Sequence, residues 1–115
     1  MHIVFSARVG FEVLGGDGWL RPVLSHADWP LGKLTVTQEN LQVTLAFMGI
    51  AETVPWQRVL AIQPNPLGFE IRYKSEEEEP RELIVKRLFL WHTFEPIAAR
   101  FAPLAFPGDS DLLSA

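Results

Sequence analysis

The sequence predicts a mostly β (α+β) fold: a seven-stranded antiparallel sandwich or partly open barrel, capped by one C-terminal α-helix. Three observations predict it. Apolar residues recur with a period of two through most of the chain. Short runs of Gly, Pro, Asn and Asp cut that pattern into strand-sized pieces. The spacing changes to three and four only near the end, at Phe94, Ile97 and Phe101.

The first strand follows from Ile3, Phe5, Ala7, Val9, Phe11 and Val13, which alternate with His2, Ser6, Arg8, Gly10 and Glu12, Val4 being the exception. The run is longer than the usual strand of about 5 or 6 residues, so a bend or bulge is expected at Gly10. Gly15-Gly16-Asp17-Gly18 reads as a turn. Trp19 to Leu24 predicts a second strand. Pro22 has no N–H for a ladder and so places that strand at a sheet edge. Ser25 to Gly32 reads as a loop, with Asp28, Pro30 and Gly32 as breakers. Leu34 and Val36 begin the clearest hairpin, which turns at Gln38-Glu39-Asn40 and returns through Leu41, Val43, Leu45 and Phe47.

Gly49 ends the hairpin, and Ile50 to Val54 is a short strand closed by Pro55. Trp56 to Ile62 reads as a further strand, although its apolar residues hold no single period. Pro64-Asn65-Pro66-Leu67-Gly68 is a rigid turn. Phe69, Ile71 and Tyr73 alternate with Glu70, Arg72 and Lys74, a strand with one wet face. Ser75 to Pro80, mostly glutamate, is a solvated loop before a last strand from Glu82 to Leu88. The helix is expected to take Thr93 as N-cap, to hold Pro96 in its first turn and to stop at Pro103, with Leu90, Ala98 and Leu104 on its apolar side.

A chain of 115 residues with 48% hydrophobic and 21% charged residues has the size and composition of one domain, expected over residues 1–104, followed by a loose tail at 105–115. The net charge of −4 is the reverse of a nucleic-acid binder's, so no nucleic-acid partner is expected. With no cysteine, disulfides, thiolate zinc sites and thiol nucleophiles are excluded. No stretch is long and apolar enough for a transmembrane segment, and the first residues do not read as a signal peptide. A cytoplasmic location is the resulting expectation.

Chemistry-bearing residues are sparse. His92 and Glu95, three apart on the expected helix, make two ligands and no third, so no metal is expected. Ser25, His26 and Asp28 have the residue types of a nucleophile relay but lie too close in sequence to orient one another. An enzyme would need two or more of His2, His26 and His92 to converge with carboxylates in a pocket. Gly15-Gly16-Asp17-Gly18 lacks the lysine and following helix of a phosphate loop, and Glu76 to Glu79 lacks the alternation of a calcium loop. No catalytic residue and no cofactor is therefore expected. Of the four tryptophans, Trp19, Trp56 and Trp91 suit the core. Trp29, between Asp28 and Pro30, is the candidate partner contact, together with the edge marked by Pro22.

Two segments carry a family resemblance. Gly32-Lys33-Leu34-Thr35-Val36-Thr37-Gln38-Glu39-Asn40-Leu41-Gln42-Val43 resembles the start of a pleckstrin-homology-like domain of the GRAM or bacterial PH type: a glycine, an apolar strand ending in threonine, a polar turn and a returning strand. Val54-Pro55-Trp56-Gln57-Arg58-Val59-Leu60-Ala61-Ile62 is similar to the family's next landmark. The resemblance covers roughly residues 30 to 103 and implies a non-enzymatic module that binds lipid headgroups, peptides or proteins, or forms assemblies. Phosphoinositide-binding relatives use a basic cluster between their first two strands. Neither Gly15-Gly16-Asp17-Gly18 nor Gln38-Glu39-Asn40 contains a lysine or arginine, which speaks against that ligand. The expected function is a binding or assembly module that contacts a protein, a peptide or a second copy of itself. The alternative is a carrier of a small apolar molecule or lipid inside the barrel.

Overall fold

The structure is a computed structural model that describes residues 3–16 and 21–103. The expectations for His2, Asp17, Gly18, Trp19, Leu104 and the tail at 105–115 lie outside those residues. Seven strands are present: β1 (Ile3–Gly15), β2 (Val23–Thr37), β3 (Asn40–Leu45), β4 (Gly49–Pro55), β5 (Val59–Asn65), β6 (Gly68–Lys74) and β7 (Pro80–Lys86), followed by α1 (Leu90–Phe101). They form one antiparallel sheet in the order β4-β3-β2-β1-β7-β6-β5, not closed into a barrel.

The length of β1 and β2 makes this one sheet behave as two layers. The first half of β1 pairs with Gly32–Thr37 of β2, which pairs in turn with β3 and then β4. The second half of β1 pairs with β7, then β6 and β5, and on its other side with the first half of β2. The ladder turns the corner at Gly10, where Val9 opposes Gly32 but Phe11 opposes Ala27. Residues 28–31 thus face a single residue, as a bulge at the predicted position.

That bulge corrects the reading of Ser25 to Gly32 as a loop between two strands. The chain stays extended from Val23 to Thr37, and the breakers Asp28 and Pro30 sit in the bulge. On the outside of a bend the path is longer, so the outer strand carries the extra residues. Gly32 is required there by close approach: a Cβ would stand 2.7 Å from the Phe11 ring. The edge expected from Pro22 holds for the first half of β2 alone, which has β1 on one side and no other strand among the described residues. Pro22 itself precedes the strand, and its carbonyl accepts from Gly15 N at 2.9 Å.

Trp56 to Ile62 has no single period because it is two elements, a 3₁₀ turn at Trp56–Arg58 and the start of β5. The indole of Trp56 is buried and donates to Thr37 O at 2.9 Å. Thr37 Oγ1 accepts from the backbone N–H of Glu39 and Asn40, which holds the predicted turn. Pro64 lies in β5, an edge strand, where its missing N–H can face away from the ladder.

The helix begins earlier than its capping pattern implied. Phe89, at φ 67°, precedes its first turn, so Thr93 is an interior residue and Pro96 falls beyond the first turn. Burial decides this: Leu90, Phe94 and Ala98, four apart, all reach the core, and starting at Thr93 would forfeit Leu90. Phe94 stacks on Phe69 with ring centroids 3.9 Å apart and also meets Trp56. These rings fill the space between the layers.

A polar link ties the end strand β4 to β6 and β7. Glu52 on β4 accepts from the Tyr73 hydroxyl on β6 at 2.6 Å and from Arg81 Nη1 on β7 at 2.9 Å. Burial, and then the Glu52 carboxylate, push the Tyr73 phenol far above its ordinary value. Burial alone would lower the Arg81 guanidinium, but the bond and charge of Glu52 more than reverse it. Side chains thus bridge β4 and β7 where no backbone ladder does.

Candidate docking surface

The corner at Gly10 also determines what is left outside. The bulge puts Trp29 on the surface with 61% of its area exposed, and the Trp29–Pro30 peptide bond is cis. Leu31, in the same bulge, is exposed, and its carbonyl accepts from Ala46 N at 2.9 Å. That bond brings the β3–β4 turn, with Phe47 and Met48, beside the bulge. Across the corner, Gly68 and Gly10 both pair with Lys86, so the β5–β6 turn and the β7–α1 link arrive at the same place. Trp29, Leu67 and Leu88, with Lys86 and Arg87, line one open groove of about 360 Å³. Arg87 and Leu88 continue into a second, also about 360 Å³, between Phe5–Ala7 of β1 and Phe89, Leu90 and Thr93.

Two aromatic residues here have unusual backbones. Phe47 and Phe89 both adopt φ 67°, and both are almost wholly exposed, at 106% and 82%. Left-handed geometry costs a residue with a Cβ about 1–2 kcal/mol, and glycine would avoid it. Neither ring is buried in the fold to offset that cost. Large apolar side chains gathered on one surface mark an interaction site more often than any one of them alone.

The surface is also cationic, although the chain is acidic overall. Arg21, Arg58, Lys74, Arg81 and Lys86 each meet a carboxylate. Arg8, Lys33, Arg72, Arg87 and Arg100 have no ion pair among the described residues, and the first, second and fourth of them meet here. Arg8 and Lys33 stand directly opposite each other on β1 and β2, an unfavourable like-charge pair. Arg87 Nη1 donates to Arg8 O at 2.9 Å, drawing the third cation to the same strand.

Of the two contact residues expected from sequence, Trp29 lies on this surface. Pro22 is exposed but stands at the far end of the first half of β2, so the structure does not bring the two together. His26 Nε2 and Asp28 Oδ1 lie 3.1 Å apart, both well exposed. His92 and Glu95 are exposed on α1. Among the described residues no three His, Asp or Glu side chains are grouped to hold a metal. The Glu76–Glu79 run is the tip of the β6–β7 hairpin, where Ser75 Oγ accepts from Glu77 N and Glu79 N and Glu78 approaches Arg58 and Lys74. Sequence reasoning missed Phe47, Phe89, Leu88 and the cations Arg8, Lys33 and Arg87. A signal existed in Leu88-Phe89-Leu90-Trp91, four consecutive apolar residues at a strand–helix junction, more than one buried face can absorb.

No family model matches the chain, and no curated protein matches it. Among solved structures, a chain of "The 8S snRNP Assembly Intermediate" is similar, with 14% sequence identity, a TM-score of 0.60, and coverage of 89% of this chain and 83% of that one. At that identity the likeness concerns the fold. Among the described residues no helix is long and apolar enough to cross a membrane.

Proposed function

We propose that this chain is a non-enzymatic binding or assembly module of pleckstrin-homology-like fold whose docking surface is the apolar corner around Trp29. The order of seven strands and one packed helix, the open sheet, and the two segments of family resemblance support the fold reading. The observation that carries the function is the gathering of Trp29, Leu31, Phe47, Leu67, Leu88 and Phe89, all more than half exposed, around one corner. A partner protein, or a second copy, would remove that surface from water. The carrier alternative has less support, because Trp56, Phe69 and Phe94 occupy the space a cargo would need.

The test is a photo-reactive residue placed at Leu67, with Arg72 on the outer side of β6 as the control position. The expected result is discrete protein adducts from position 67 and none from position 72. Equal or absent labelling at both positions would refute the reading. Light scattering over a wide concentration range separates the versions: growth in mass with concentration means self-association, and a constant monomer means a foreign partner.

A further inference from the structure

Deepening that reading, and resting on it, we propose that the groove between β1 and α1 takes up an extended, acidic segment of a partner protein as an added β-strand. Over Ile3–Val9, β1 pairs with β2 on one side and with no strand on the other among the described residues. The Arg8 carbonyl accepts from the guanidinium of Arg87, which follows β7, and so faces that free side. In an antiparallel strand the N–H and C=O of one residue point the same way, and residues two apart point alike. Ser6 therefore turns its N–H and C=O to the same side, and Ser6 lines the groove. An extended segment lying there can exchange ladder hydrogen bonds with Ser6, which is how strand addition obtains its affinity.

The groove itself specifies the occupant. Its walls are Phe5, Ser6 and Ala7 on one side and Leu88, Phe89, Leu90 and Thr93 on the other, a mixed lining that suits the backbone of an added strand with one apolar side chain. Arg87 lines it and holds the Arg8 carbonyl, Lys33 stands directly across from Arg8, and none of the three has a carboxylate partner among the described residues. Glu95, two residues beyond Thr93, lies round the helix from the groove. A carboxylate on the incoming segment would be bound by charge-assisted hydrogen bonds and would relieve the Arg8–Lys33 repulsion. The other free edges lack this combination. The outer edge of β4 borders Glu52, β5 carries Pro64, and the first half of β2 carries the exposed Asp28. A peptide is favoured over an anionic membrane because the cations flank a walled groove and the chain as a whole, at net −4, is repelled by such a surface.

The experiment pans a phage-displayed library of random dodecapeptides on the full chain and synthesises the enriched sequences. The expected winners carry an excess of Asp and Glu next to an aliphatic or aromatic residue. NMR spectra should shift at Ile3–Val9 and Arg87–Leu90. Arg87→Glu and Arg8→Glu should weaken binding about tenfold, whereas Arg72→Ala, an exposed cation on β6 away from the groove, should leave it within about twofold. Peptides N-methylated at alternate residues should lose binding to the unaltered protein, a readout that no misfolded variant can imitate. Winners without acidic bias, indifference to Arg87→Glu, or full tolerance of N-methylation would each overturn the proposal. Shifts confined to Trp29, Phe47 and Leu67 would overturn it while leaving the broader docking function in place. Saturable binding to phosphatidylserine vesicles that excludes the peptides would overturn it in favour of a membrane.

Discussion

Glu52 shows how much one side chain can hold in a sheet that does not close. Its carboxylate is the acceptor for both Tyr73, which is buried, and Arg81, which like Glu52 itself is partly buried. Glu52→Ala would strand a hydroxyl and a guanidinium, and we expect a loss of about 2 kcal/mol in urea unfolding. Tyr73 gives the link a pH dependence. The unfolded phenol ionises near pH 10, and the folded one only at higher pH. The folded state thus keeps a proton that the unfolded state releases, so the contribution is complete below about pH 10 and is lost as pH rises beyond it. Tyr73→Phe should flatten stability against pH in that alkaline range while costing about 1 kcal/mol at neutral pH. Phe47 offers the opposite case. Phe47→Gly relieves a left-handed conformation and removes no buried contact, so it should raise stability by about 1 kcal/mol.

At the scale of elements, periodicity revealed whatever was governed by one face. The alternation in β1, in the β2–β3 hairpin and in β6 follows directly from having one side against the core. The bend at Gly10 was legible too, because that run was too long for a flat strand. The continuity of β2 was not. Asp28 and Pro30 are loop residues by every local rule, and only the register of β1 around its corner shows that they bulge from one strand. The helix start was misread for a similar reason, since Thr93 is a good cap locally but Leu90 has a core to fill. Pro96 is exposed beyond the first turn and leaves the His92 carbonyl without its usual partner. Pro96→Ala should therefore stabilise the chain by about 1–3 kcal/mol in thermal or urea unfolding. Of the docking surface, Trp29 could be read from its loop-like neighbours. Phe5, Phe47, Leu67 and Leu88 come together only through strand pairing, which no local pattern encodes.

Across the whole molecule, β1 and β2 run through both layers, and the core that α1 completes draws on both. Neither layer retains its backbone pairing without the other. Unfolding should accordingly be a single cooperative event, with tryptophan fluorescence and far-ultraviolet circular dichroism giving coincident transitions. Transitions separated in temperature would mean that the layers are independent after all.

The hairpin of β6 and β7 has an electrical consequence. Its tip carries Glu76–Glu79, while Arg87 follows the other end of β7, about 20 Å along the strand. Positive and negative poles are therefore set apart along one stiff ribbon. Such a molecule experiences a torque in the field of an approaching charged body, and an electronegative visitor meets it cationic pole first, before any surfaces touch. Added salt should blunt that orientation.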